Sequence, residues 1–201
     1  MGLEHLFCTT AETLLAFTFD ACRETEKKAV TVGAGNFTEA VILGNMLKEL
    51  IDADTDIEVK TSFGLDGISG CFEALGKGEI DMFVGEIGAA LAFFSAEPVD
   101  NMDNKGPESV YEAAVSLMMP EHHINISKPL GYEFNHAGAA CTFVRREVLE
   151  DYPELKELLG KLEGRISDNA MAEMKRQVEA GEGAEKVAWR FLKDNKLLDG
   201  R

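Results

Sequence analysis

A glycine-rich turn is the first feature of this chain that suggests chemistry. Residues 30–51 read VTVGAGNFTEAVILGNMLKELI, which places the turn between a short apolar strand and a long apolar helix. Such turns can hold phosphate, because the N–H groups at the start of a helix attract anions. This turn has neither the GxxxxGK[ST] nor the GxGxxG pattern of nucleotide-binding loops. The alternatives left are a small solute or no ligand at all.

The residue types that catalyse reactions are present but are not arranged in a known catalytic pattern. No histidine stands beside a serine or cysteine in a nucleophile motif, and GxSxG is absent. The carboxylates Glu79 and Asp81 are weak support for acid–base chemistry in so acidic a chain. We therefore predict that the protein is not an enzyme and needs no cofactor. The histidines are His5, His122, His123 and His136, and the pair His122–His123 is expected to be solvated.

The cysteines and the net charge exclude further classes of function. Cys8, Cys22, Cys71 and Cys141 form no CxxC pair and have no histidine at metal-ligand spacing, so neither a metal site nor a disulfide framework is predicted. Cys71 and Cys141 lie in apolar stretches and are expected to be buried thiols. The formal charge of -16 would repel polyphosphates, so we predict no nucleic-acid partner.

The first 26 residues differ from the rest of the chain. The segment LLAFTFDAC resembles a degenerate secretion signal, but residues 1–16 contain Glu4 and Glu12 and no lysine or arginine. We expect residues 1–26 to be a poorly packed N-terminal segment and residues 27–201 to form the folded unit. A frayed helix is the other interpretation of this segment.

Strand and helix patterns alternate from Lys27 onward. KKAVTVGAG, DIEVKTSF and DMFVGEIG have the character of strands, and helical patterns separate them. Such alternation predicts an α/β fold with a mostly parallel sheet and helices on both faces. Asn36 with Glu39 resembles a capping box, a strand is expected over residues 139–144, and the C-terminal part is expected to be helical. Ser167 is the expected cap of the helix that begins near Asp168.

These motifs, in this order, resemble the substrate-binding proteins of glycine betaine/choline/carnitine ABC transporters. The similar stretches are VTVGAGNFTEAVILGNMLKELI, then IEVKTSFGLDGISGCFEALGKGEIDMFVGEIGAAL, and the closing VAWRFLKDNKLL. The resemblance implies a type II periplasmic-binding-protein fold with the solute held between two lobes. In this chain, PLGYEFNHAGAACTFVRREVL joins the first lobe directly to the C-terminal helices, so most of the second lobe is expected to be missing.

The resemblance also implies a site, which this sequence alters. The family holds quaternary ammonium groups between aromatic faces, but its hinge tyrosine and threonine correspond here to Glu86 and Ile87. No tyrosine remains in the matched region 134–138, and Tyr132 and Phe134 could substitute only if their loop bends. The two other site loops are better preserved, although Asn36 could equally be a simple helix cap. The predicted ligand-binding residues are Asn36, Phe37, Thr38, Gly67, Ile68, Ser69, Glu86 and Ile87.

Two functions follow as expectations from the resemblance. The first is a solute-binding component of an ABC importer that binds a small quaternary ammonium solute with low affinity. It would work outside the cytoplasm with the transporter's membrane subunits. The second is a one-lobe interaction protein that has lost its solute and forms a homodimer or docks on a partner. Its contact surface would be an apolar face at or near Ile68, Ile87, Phe93 and Phe94.

Overall fold

Five strands form one mixed sheet in the order β2-β1-β3-β5-β4. The computed structural model describes residues 29–95, 107–131, 133 and 138–198. The expectation for residues 1–26 lies outside these residues. The strands are β1 (Ala29–Gly35), β2 (Glu58–Leu65), β3 (Met82–Glu86), β4 (Ile124–Ile126) and β5 (Ala140–Arg145).

Eight helices accompany this sheet in the described ranges, and they lie on both of its faces. They are α1 (Thr38–Asp54), α2 (Gly67–Gly76), α3 (Ile87–Phe94), α4 (Pro107–Glu121), α5 (Arg146–Asp151), α6 (Glu154–Gly160), α7 (Asp168–Glu179) and α8 (Ala184–Asp194). The predicted α/β class with helices on both faces is thus confirmed.

The sheet is parallel on one side and antiparallel on the other. Strand β1 pairs in parallel with β2 and with β3, whereas β5 pairs antiparallel with both β3 and β4. The expected parallel sheet is therefore correct for the first three strands, which helical crossovers connect. Strand β4 has only three residues, too few for the alternation of apolar and polar side chains that identifies a strand in a sequence.

Two apolar layers cover the two faces of the sheet. Met82 and Val84 of β3 contribute to the layer under α1, α7 and α8, whereas Phe83 between them contributes to the layer under α2, α3 and α4. This follows from the period of two along a strand. Helix α1 is buried over most of its surface because it lies between the sheet and α8. The strands are thereby fixed from both sides, and their ends are held at defined positions.

Two local predictions about helix ends can be compared with the structure. Asn36 is not the cap of α1: Phe37 occupies that position and makes no side-chain capping bond, and Glu39 forms an ion pair with Lys175 of α7. A tertiary contact has thus replaced the local capping box. Ser167 does cap α7, and its hydroxyl accepts a hydrogen bond from the N–H of Ala170 at 3.2 Å.

The C-terminal helical stretch is divided at Pro153. The sequence EVLEDYPELKELLGKL forms α5 and α6 rather than one helix. Proline disfavours helical backbone in the residue before it, and Tyr152 has φ -131° and ψ 70°. The division turns α6 back towards α1, where Lys161 pairs with Asp54 at 2.8 Å.

Candidate solute-binding edge of the sheet

The predicted site residues lie where the three parallel strands end. Strand β1 ends at Gly35, β2 at Leu65 and β3 at Glu86, and at most two residues separate each strand from the helix that follows it. Strand β5 runs the other way, so its first residue, Ala140, pairs with Glu86. We call residues 35–38, 65–69, 86–87 and 138–140 the carboxyl edge. In open α/β sheets this is the edge at which ligands bind.

Two of the loops at this edge meet over Gly35. A Cβ atom on Gly35 would lie 2.7 Å from the Cε1 atom of the Phe37 ring and 3.5 Å from the backbone carbonyl carbon of Gly67. Only glycine leaves room for this approach. The structure therefore brings the first two predicted site loops together. The short spacing between Gly35 and Phe37 is the one sequence signal for this contact.

The exposure of the two loops fits a surface that meets a small solute. Asn36 and Ser69 are exposed, whereas Phe37, Thr38 and Ile68 are half-buried. The cap residues of α1 and α2, Phe37 and Asp66, make no side-chain capping bond. The first turns of both helices therefore present backbone N–H groups without a side-chain cap, and such N–H groups attract anions.

Asp66 and Glu86 are the two ionisable side chains of this edge; Asp66 is exposed, and Glu86 is the half-buried one. Its half-buried side chain lies against Gly138, where an added Cβ would be 2.9 Å from the Oε1 atom. Burial raises the pKa of Glu86, and the amides of Gly88 and Ala89 at the start of α3 partly offset this by stabilising the carboxylate. The Glu86 side chain accepts no capping hydrogen bond from the first turn of α3, so these amides act on it at longer range. The edge thus contains a carboxylate with reduced hydration.

Ile87 has a different position from the other predicted residues. Its side chain is 2% exposed, and its backbone N–H donates a hydrogen bond to the carbonyl of Ala139 at 3.1 Å. It therefore joins the start of α3 to β5 and presents no side chain to a solute. Ala139 and the close contact of Gly138 with Glu86 are not among the features predicted from the sequence, because both depend on the antiparallel pairing of β3 with β5.

Other predicted features lie away from this edge or outside the described residues. Tyr132, Phe134 and residues 135–137 belong to the second group. His122 and His123 are exposed as predicted, and the His122 ring lies 4.3 Å from the ring of Phe94, between centroids. Among the described residues, histidine, cysteine and acidic side chains form no cluster that could hold a metal ion. The helices of the described part also include none with the length and apolar character needed to cross a membrane.

An open α/β sheet with helix starts and a carboxylate at its carboxyl edge is an arrangement that can bind a small solute. The family model described as "Substrate binding domain of ABC-type glycine betaine transport system" matches residues 28–130 and 125–194. The chain belongs to this family, whose members are solute-binding proteins rather than enzymes. The two matched segments overlap at residues 125–130.

Solved structures show the same fold. A crystal structure of a glycine betaine/carnitine/choline ABC transporter protein aligns with a TM-score of 0.76 and 16% identity, over 86% of this chain and 100% of that chain. Apo YehZ from Escherichia coli aligns with a TM-score of 0.71 and 14% identity, over 84% of this chain and 99% of that chain. At these identities the likeness concerns the fold alone.

Proposed function

We propose that this chain is a solute-binding component of a glycine betaine/choline-type ABC import system that holds a small quaternary ammonium solute at the carboxyl edge. The observation that supports this proposal best is the half-buried carboxylate of Glu86, which lies against Gly138 between the helix starts of the edge. The work would take place outside the cytoplasm, beside the membrane subunits of the importer.

The charge at the edge favours choline over glycine betaine. Glu86 attracts the ammonium group that both solutes carry, but it repels the carboxylate of betaine. The helix starts at residues 36–38 and 67–69 favour an anionic group and reduce this repulsion only in part. A cation without a carboxylate fits the edge better.

Binding at this edge is expected to be weak. Good sites for small molecules bury roughly 70–90% of the ligand surface, whereas all strands described here belong to one sheet, so no second sheet in the described residues covers the carboxyl edge. Phe37 is the one aromatic side chain among the predicted ligand-binding residues, so a full aromatic cage would need residues from elsewhere.

The test is a thermal melt with choline and with glycine betaine, in the wild type and in Glu86→Gln. A ligand at about 100 times its Kd adds about 2.7 kcal/mol to the free energy of unfolding, which raises Tm by several degrees. We expect choline to give the larger shift and Glu86→Gln to reduce it. Glu79→Gln is the matched control, because Glu79 is exposed and precedes β3 at the opposite edge of the sheet. A betaine shift that exceeds the choline shift and persists in Glu86→Gln would show that the assignment of Glu86 is wrong.

A second function, docking or self-association, is favoured by the aromatic side chains of α3. Phe93 is 39% exposed and stacks on Phe72 with 5.3 Å between ring centroids, and the Phe94 ring lies 4.9 Å from that of Phe93. Ile87 is buried and Ile68 is half-buried against the same apolar layer. Of the four residues expected in the contact face, Phe93 and Phe94 at the end of α3 are therefore the ones that a partner could contact.

Light scattering distinguishes this second function. A homodimer through α3 would dissociate in Phe93→Ser and persist in Trp189→Ser, the matched control, because Trp189 is 41% exposed on α8. A monomer at tens of micromolar in the wild type would exclude the dimer and leave docking on the membrane subunits as the role of this face.

A further inference from the structure

A second cavity lies away from the carboxyl edge, between the β4–β5 part of the sheet and the helices α5 and α6. It has a volume of about 260 Å³ and shares no residue with the carboxyl edge. Met119 at the end of α4 and the apolar residues Leu149 and Leu159 form parts of its wall. Its size is close to the lower limit of ~300 Å³ for cavities that bind small molecules.

The floor of this cavity is unusually polar for a face of the sheet. Asn125 of β4 pairs with Val144 of β5, so their side chains lie on the same face. Thr142 is two residues from Val144 and therefore lies on the same face. Ser127 lies opposite Thr142, and the Ser127 N–H donates a hydrogen bond to the Thr142 carbonyl at 2.9 Å. Asn125, Ser127 and Thr142 thus line the cavity from one side.

The hydroxyl of Thr142 has no hydrogen-bond partner, although the residue is 0% exposed. Most buried polar side-chain atoms in proteins have a partner, and an unpaired one costs about 1–3 kcal/mol. A valine would fill the same space without that cost. The neighbouring Ser127 hydroxyl is already used, because it accepts the Thr142 N–H at 2.9 Å and donates to the carbonyl of Lys128 at 2.8 Å. The hydroxyl is closed off from water in the free protein, so a ligand in the cavity would satisfy it only after a small shift of the cavity lining.

Two opposite charges complete the lining of the cavity. Lys156 and Glu163 lie seven residues apart, on α6 and the turn that follows it, and both line the cavity. One carboxylate oxygen of Glu163, Oε1, accepts the backbone N–H of Lys128 at 3.1 Å. The ammonium group of Lys156 forms no ion pair with any residue of the described part.

From these observations we propose that this cavity binds a small α-amino acid with a short aliphatic side chain. The Lys156 ammonium pairs with the ligand carboxylate, and Glu163 receives the ligand ammonium. Thr142 supplies a hydrogen bond from the floor, and Leu149 and Leu159 contact the aliphatic side chain. A ligand with one charge would meet only one of these two side chains, whereas an α-amino acid can meet both.

The experiment is an NMR titration of the full chain with L-valine. We expect saturable shifts of the amides of Thr142, Ser127 and Lys156 at concentrations below about 20 mM. Isobutylamine and isobutyrate, which each carry one of the two charges, are expected to bind about tenfold more weakly. An absence of saturable shifts up to about 20 mM, or shifts confined to the carboxyl edge, would overturn the proposal.

Variants locate the site and keep the test independent of folding. Thr142→Val is expected to weaken L-valine binding about tenfold while it preserves or raises the Tm of the free protein, because the unpaired hydroxyl is gone. Unchanged binding, or a clearly lower Tm, would overturn the proposal, since the hydroxyl would then be unused by the ligand or already satisfied. Lys156→Met, at an exposed position, is expected to weaken binding, and Lys60→Met, at an exposed position of β2, is its control. Equal binding in these two variants would also contradict the proposal.

Discussion

The two buried thiols, Cys71 and Cys141, are expected to make the fold sensitive to alkaline pH. Both are free cysteines in the apolar layer under α2, α3 and α4, and burial raises the pKa of each to about 12 from the ordinary value of 9.0. The negative charge of Glu163 adds to the effect at Cys141. A thiolate therefore forms far more readily in the unfolded chain than in the folded one.

The sign and size of the effect follow from proton linkage. A group whose pKa is raised by folding contributes its full stability below the unfolded value and loses it as the pH rises towards the folded value. The loss therefore begins near pH 9.0 and continues to about pH 12. Each pH unit above the first value costs between about 1 and 2 kcal/mol per thiol. At about pH 10 the two thiols together lower the free energy of unfolding by roughly 2–3 kcal/mol.

Urea unfolding at about pH 8 and about pH 10 measures this loss. The background is Cys8→Ser with Cys22→Ser, which leaves Cys71 and Cys141 as the only cysteines. The control is the same protein with both remaining cysteines replaced by alanine, which shares every other titrating group. We expect the protein with thiols to lose more stability between the two pH values. Equal losses in the two proteins would refute the argument that burial of the thiols controls this pH dependence.

The remaining predictions concern single contacts and the first residues of the chain. Ser167→Ala removes the cap of α7 and should cost about 1 kcal/mol in urea unfolding, and a loss below the error would show that the N–H of Ala170 is satisfied by water. Lys161→Met removes the ion pair of Asp54, whose side chain is 11% exposed and lies 2.8 Å from the Lys161 ammonium. The free energy of unfolding should fall by about 1–3 kcal/mol, and unchanged stability would show that the other contacts of Asp54 suffice. Gly138→Ala should both lower Tm and weaken choline binding, since the new Cβ would meet Glu86 and the residue has φ +146°. A lower Tm with unchanged choline binding would show that Gly138 is not part of the binding site. Deletion of residues 1–26 should leave Tm nearly unchanged, and a fall of many degrees would mean that this segment packs on the folded unit.

Much of the fold was predictable because it depends on local patterns. The three strands of the parallel part, their helices and the cap at Ser167 follow from apolar periodicity, glycine-rich turns and capping residues within a few positions of one another. The carboxyl edge was predictable for the same reason. Parallel strands end at one edge of a sheet, so the loops at residues 36–38, 67–69 and 86–87 had to meet there once the alternation of strands and helices was recognised.

Tertiary structure decided the features that depend on distant pairs. Glu39 pairs with Lys175 of α7, a contact between distant parts of the chain that spacing within α1 does not specify. The close contact of Gly138 with Glu86 follows from the antiparallel register of β3 and β5, which periodicity within either strand does not specify.

The cavity over β4 and β5 shows the same division between sequence and structure. Within ACTFVRR, Thr142 looks like an ordinary strand residue, and nothing near it in the sequence indicates that its hydroxyl is buried without a partner. That property arises only when a three-residue strand pairs with β5 and the break at Pro153 places α6 over the same face. Spacing along the chain determines which residues share a strand or a helix face, whereas the packing of separate elements determines which polar groups are left without a partner.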